Sequence, residues 1–142
     1  MEKDAGFEIR FVTSWPIEEI ISLYKVAGWW KDSYDPSGIP ALIKGSYVFA
    51  VVVDTINKKT IGMGRVISDG VSDAYIQDFI ILPGYRRSGI GKKLVQSLTN
   101  YCLAHGIVWI GLMAEPGSEQ FYIASGFKHL IDYTPMLYYQ EE

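Results

Sequence analysis

Apolar positions change their period several times along this 142-residue chain, and each change marks an element. Phe7 to Val12 alternates apolar and polar residues, which predicts a strand. Ser14 is a candidate N-cap, followed by Pro16 and by Glu18 and Glu19 in the first turn. Ile17, Ile20, Ile21 and Tyr24 then recur at helical spacing, and Gly28 predicts the helix end. Trp29 to Ser46 is irregular, with a short second helix expected over Ala41 to Lys44. Tyr47 to Val53 is almost continuously apolar and β-branched, Asp54 to Lys59 is a polar turn, and Thr60 to Ser68 is a second strand. These make a hairpin, and Ala74 to Leu82 continues it as a meander. Ile90, Leu94, Leu98, Tyr101 and Cys102 form the core stripe of a helix that ends at Gly106. A strand over Ile107 to Ala114, a short helix over Ser118 to Ser125 and a strand-rich stretch from Phe127 to Tyr139 complete the pattern.

The predicted order is β-α-α-β-β-β-α-β-α-β-β. A helix joining two strands of one sheet implies a parallel pair within a mixed sheet, so the expected class is mixed α/β with helices flanking a central sheet. One domain over 1–142 suits this length, without repeat or linker.

Composition narrows the chemistry. The net charge of −3 disfavours nucleic acid as partner. The lone Cys102 and the widely spaced His105 and His129 give no metal-binding cluster, so no metal is expected. The N-terminus lacks an apolar signal core, and no apolar run approaches ~18 residues. The expectation is a cytoplasmic protein without a membrane partner.

Against this acidic background one segment is basic and glycine-containing. Arg86-Arg87-Ser88-Gly89-Ile90-Gly91 links an apolar strand, through Pro83-Gly84-Tyr85, to a helix start. Backbone N–H groups at a helix N-terminus, with glycines admitting a ligand to the main chain, suit a phosphate. The P-loop pattern fails, because Arg86 stands where it needs glycine and Lys93 where it needs Ser or Thr. The dinucleotide fingerprint fails at Leu94. The pattern R/Q-x-x-G-x-G/A is met.

On these residues the chain resembles the GNAT superfamily of acyl-CoA-dependent N-acetyltransferases, over nearly its whole length. A second motif, Tyr122-Ile123-Ala124-Ser125-Gly126-Phe127, matches that family's Y-x-x-x-G-F. The resemblance implies acetyl-CoA as cosubstrate. Arg86, Arg87, Ser88, Gly89, Ile90 and Gly91 would hold its diphosphate, and the main chain of Phe79, Ile80 and Ile81 would run beside its pantetheine arm. It also implies that Tyr122 protonates the departing thiolate. Many members carry asparagine seven residues before this tyrosine; here Glu115 stands there, facing either the acceptor amine or solvent.

The attacking amine must be neutral, so a base is wanted. Asp78, within the apolar strand Ile76 to Ile80, is the candidate, because a charge there is unfavourable without a partner or a purpose. The alternative role for Asp78 is a hydrogen bond to backbone at a strand distortion. In the family, the segment between the first two helices covers the acceptor. Its Trp29, Trp30 and Tyr34 suit a cationic or amphipathic amine, small molecule or protein. Met63 and Arg65 are further candidates for the cleft wall. The expected function is acetyl transfer from acetyl-CoA directly to an amine. The alternative is a CoA-responsive binding module that kept the fold and lost catalysis. The aromatic stretch Met136 to Tyr139 suits strand pairing across a homodimer.

Overall fold

The computed structural model describes residues 3–4 and 6–139. The chain forms two compact units, one ending at Leu112 and the other beginning at Met113.

The first unit is a six-stranded sheet in sequential order with helices on both faces. Its elements are β1 (Lys3–Asp4), β2 (Phe7–Phe11), α1 (Ile17–Ala27), α2 (Ile39–Gly45), β3 (Val48–Asp54), β4 (Lys59–Ser68), β5 (Asp73–Ile81), α3 (Ile90–Ala104) and β6 (Trp109–Leu112). Neighbours β1 to β5 pair antiparallel, and β5 pairs parallel with β6 across the α3 crossover. The mixed sheet expected from the sequence is therefore present.

Side-chain alternation assigns the two faces. Phe49, Val51, Met63 and Ile80 pack against Ile20, Leu23 and Tyr24 of α1 and Ile39 and Ile43 of α2. Met63 is fully buried there, so it belongs to the core and not to a cleft wall. On the opposite face Gly64 lies under Leu94 and Leu98 of α3 and the ring of Phe79. The buried stripe of α3 is Ile90, Leu94, Val95, Leu98 and Cys102; four of the predicted positions hold, Val95 joins them, and Tyr101 is only half-buried.

Several boundaries differ from the sequence reading. β1 is an additional short strand. The cap of α1 is Pro16, without a side-chain hydrogen bond, instead of Ser14. A 3-10 turn over Pro36–Gly38, capped by the Asp35 carboxylate accepting from Ser37 N–H at 2.9 Å, extends the second helix backward to Ile39. β6 is shorter than Ile107 to Ala114.

The second unit contains α4 (Glu119–Ala124) and a continuation to Tyr139. The strands expected from Phe127 onward are not formed among the described residues, where Ile131, Met136, Leu137 and Tyr138 are largely exposed. A strand needs a ladder partner for its N–H and C=O groups, and this segment has apolar pattern without one.

Gly62 and Gly64 on β4 answer a packing demand. A Cβ on Gly62 would lie 2.6 Å from Ile81 Cδ1 and 2.9 Å from the Ile80 carbonyl oxygen. Gly62→Ala is therefore expected to destabilise by about 1–3 kcal/mol through displaced β5 backbone. Urea unfolding checks this; unchanged stability would mean that β5 yields easily.

Candidate active site

The site starts from a flaw in β5. Met63 opposes Ile80 and Arg65 opposes Gln77, so one extra residue lies on β5 between these pairs. This is a β-bulge, with Asp78 in the left-handed region at φ 54. Aspartate enters that region more readily than most residues. Asp78 falls on the inward register of Ala74 and Ile76; the bulge swings it out, and Phe79 takes the apolar place over Gly64.

The released carboxylate meets side chains, not backbone. Asp78 Oδ2 accepts from Tyr24 O–H at 2.7 Å and from Arg65 Nε at 2.7 Å. The Arg65 and Asp78 side chains are 16% and 21% exposed, so the charge is partly shielded and has a cation beside it. Sequence reasoning placed Asp78 but missed Tyr24 as its partner. The signal was available in Tyr24 ending the buried stripe of α1 with a hydroxyl that needs an acceptor. Burial first, then the Asp78 charge, pushes the Tyr24 phenol well above its ordinary pKa, so it remains a donor. Arg65 Nη1 also reaches Ser46 Oγ at 3.4 Å.

Gly28 sets the aromatic segment next to this pair. It closes α1 at φ 80, and Trp29 N–H returns to the Tyr24 carbonyl at 2.9 Å. The chain doubles back, bringing the Trp29 and Trp30 rings each to 6.3 Å from the Tyr24 ring; Tyr34 packs edge-on to Trp30 at 5.4 Å. Trp29 and Trp30 thus pack beside the ring whose hydroxyl holds Asp78, and Tyr34 packs on Trp30.

Beyond the bulge β5 outruns its parallel neighbour. The last register pair is Ile76 with Leu112, while β5 continues to Ile81. β5 therefore runs on past the end of β6 along Phe79, Ile80 and Ile81, the stretch expected beside the pantetheine arm. Ile80 and Ile81 side chains are themselves buried, so a role there belongs to backbone.

The chain then passes through a 3-10 turn, Pro83–Tyr85, into the basic turn. Arg87 and Gly89 both adopt positive φ, 66 and 86. Gly89 is the N-cap of α3, and no side chain caps that helix. Its first-turn N–H groups are therefore offered to an external anion at the positive end of the dipole. A Cβ at Gly84 or Gly89 would meet nothing within 4 Å, so the surface above the turn is open. Ser88 and Arg87 are exposed, and Ile90 is buried and roots the helix in the core. Arg86 is more than a surface charge, because its Nε donates to the Ile81 carbonyl at 2.8 Å and ties the turn to the end of β5. These residues fit the diphosphate of coenzyme A.

A cleft of about 390 Å³ lies at the β3–β4 hairpin, lined by Arg10, Trp15, Glu19 and Lys59 among others. Its Trp15, Thr60 and Glu19 side chains satisfy one another, and none of the proposed transfer residues lines it.

In the second unit, Tyr122 is half-buried and packs edge-on to Phe121 and Phe127, at 5.0 and 5.8 Å between ring centroids. Burial, with a smaller contribution from the Glu115 charge, pushes its pKa up to about 12. Glu115 is exposed, and its carbonyl accepts from Ser118 N–H at 3.0 Å and Ser118 Oγ at 2.7 Å at the start of α4. Cys102 is wholly buried and its pKa is raised by that burial, which disfavours the thiolate a nucleophile needs. No group of side chains suited to a metal occurs among the described residues.

Known proteins share both the sequence pattern and the fold. A histone acetyltransferase of Glycine max is 33% identical over 101 residues, covering 65% of this chain and 44% of that protein. A chloroplastic GCN5-related N-acetyltransferase of Arabidopsis thaliana is 39% identical over 71 residues, 50% of this chain and 28% of that protein. The chain thus spans less than half the length of these curated relatives. Among solved structures, a GNAT-family acetyltransferase of Streptococcus pneumoniae is 26% identical with a TM-score of 0.78, covering 96% of this chain and 99% of that one. A model of the acetyltransferase (GNAT) family matches residues 12–127, and with the strand, turn and helix geometry in agreement, the chain belongs to that family.

Proposed function

We propose that this protein transfers an acetyl group from acetyl-CoA directly to an amine. The observation that carries the reading is the uncapped N-terminus of α3 behind two left-handed residues, beside a strand that outruns its neighbour. A diphosphate satisfies the orphan donors there, and the overhanging end of β5 offers an extended amide-bearing arm a place for strand addition.

Asp78 serves the acceptor in this scheme. Its hydrogen bonds from Tyr24 and Arg65 both converge on Oδ2, and in this scheme Oδ1 receives the incoming amine or its water. The carboxylate takes the amine's proton, directly or through that water, as the nitrogen attacks the thioester carbon. Tyr24 and Arg65 hold the carboxylate in orientation. The nitrogen–carbon bond forms, the carbon–sulfur bond breaks, and the thiolate receives a proton from Tyr122. Trp29, Trp30 and Tyr34 bind the acceptor's apolar or cationic body, which fits an aromatic or alkyl-substituted amine.

Asp78→Asn is expected to lower turnover at neutral pH while coenzyme A affinity is kept. Asparagine tolerates the bulge conformation, so the fold should hold. The loss should shrink at high pH, where the amine is neutral without help. A pH–rate profile parallel to wild type would reject the base role. The reading as a whole is tested by thiol release from acetyl-CoA across a panel of alkyl, aryl and peptide amines. Amine-dependent release supports it. Coenzyme A binding with no amine giving turnover would sink it and favour a binding module. The homodimer through Met136 to Tyr139 is part of the proposal; light scattering that finds only monomer at assay concentration would remove it.

A further inference from the structure

We propose that the β3–β4 turn is a positioning element of the cofactor site, with Asp54 holding Tyr85 and thereby fixing the turn that receives the diphosphate. The inference rests on the proposed binding of coenzyme A at that turn.

Asp54 ends β3 and is buried although charged. Its Oδ1 accepts from Ile56 N–H and Asn57 N–H, each at 3.0 Å, and its Oδ2 accepts from Asn57 Nδ2 at 2.8 Å. Those three bonds are local and close the hairpin turn in the usual manner of an aspartate. The fourth is not local. Tyr85 O–H donates to Oδ2 at 2.7 Å from thirty-one residues along the chain. A hairpin closed by three bonds has no need of it.

The need lies at the other end. Tyr85 is the last residue of the 3-10 turn that leads into Arg86. Its N–H donates to Leu82 at 2.9 Å, and its carbonyl accepts from Ser88 Oγ at 2.7 Å. The ring is thus held by Asp54, and the main chain holds Ser88 in the middle of the basic turn. Beyond it, Arg87 and Gly89 both require left-handed backbone while Arg86 to Gly89 are exposed. An exposed segment with two such residues gains little order from packing. Its order has to come from ties at its root, and two are present: Tyr85 to Asp54, and Arg86 to the Ile81 carbonyl. The first connects the turn to the sheet through a hydrogen bond to a carboxylate, a stronger class than a neutral pair. A turn already in place when the diphosphate arrives avoids ordering on binding, and that saving appears as affinity.

The test separates an effect on the nucleotide diphosphate end of the ligand from a general one. Calorimetry gives the affinity of wild type, Tyr85→Phe and Asp54→Asn for coenzyme A and for pantetheine, which keeps the arm and lacks the diphosphate together with the adenosine 3′-phosphate. Wild type is expected to prefer coenzyme A. Tyr85→Phe is expected to lose about tenfold in coenzyme A affinity, close to the lower limit for a hydrogen bond to a charged group, with pantetheine affinity unchanged. Asp54→Asn keeps an acceptor oxygen for the hairpin and is expected to lose less, and the double variant no more than Tyr85→Phe alone. Unchanged coenzyme A affinity in folded Tyr85→Phe, or an equal loss for both ligands, would overturn the inference. Wild type without preference between the ligands would overturn the diphosphate reading itself. If Tyr85→Phe does not fold, Asp54→Asn decides by the same comparison.

Discussion

Tyr122→Phe should lower kcat by about 100-fold, near 2.7 kcal/mol in the barrier, the lower end of what a general acid contributes. Phenylalanine keeps the ring between Phe121 and Phe127, so only the hydroxyl is lost. A hydroxyl with a structural role alone is worth about 1 kcal/mol of stability, a melting shift of a few degrees. The proton is present when needed: with its pKa raised to about 12, the phenol stays neutral across any practical assay range. That rise also weakens it as an acid toward a thiolate whose own pKa is about 8.5. In the proposed role, its contribution is therefore the hydrogen bond given as charge builds on sulfur, with the proton following. Accordingly, an alkaline fall in kcat should not trace to Tyr122. Wild-type turnover in Tyr122→Phe would make this residue a packing aromatic.

The second large effect concerns the cofactor turn, where the choice of glycine matters. Gly89→Val is a poor probe, because φ 86 strains any side chain there whatever the ligand does. Gly91 lies inside the first turn of α3 and has no positive φ. Gly91→Glu should raise helix propensity and place a carboxylate favourably toward the dipole. The same carboxylate would repel a diphosphate, by several kcal/mol at ~4 Å with an effective dielectric of about 20. The expected result is about a 100-fold loss of coenzyme A affinity with an unchanged or higher melting temperature. Stability and affinity moving in opposite directions cannot come from misfolding. Retained affinity by calorimetry would place the diphosphate elsewhere.

The legible parts of this chain were those governed by local chemistry. The period of α3, the β-branched run of β3 and the turn at Arg86 to Gly91 follow from residue type and spacing, and the structure agrees with each. Asp78 was visible as a polar residue on an apolar register. What it bonds to was not, because Tyr24 and Arg65 come from other elements and only packing brings them together. The Asp54–Tyr85 bond is hidden for the same reason. The failure at the C-terminus is the converse. Phe127 to Tyr139 carries strand residues, yet strand formation depends on a partner edge, which no single segment encodes.

Direct transfer is the central claim, and intact-mass analysis of a single turnover addresses it. Enzyme in excess over acetyl-CoA is mixed with an accepted amine, and protein, amine and thiol are followed together. The account predicts that acetylated amine and coenzyme A appear with one time course while the protein mass never changes, in keeping with a buried Cys102. A transient acetylated protein whose decay matches the appearance of acetylated amine would contradict it.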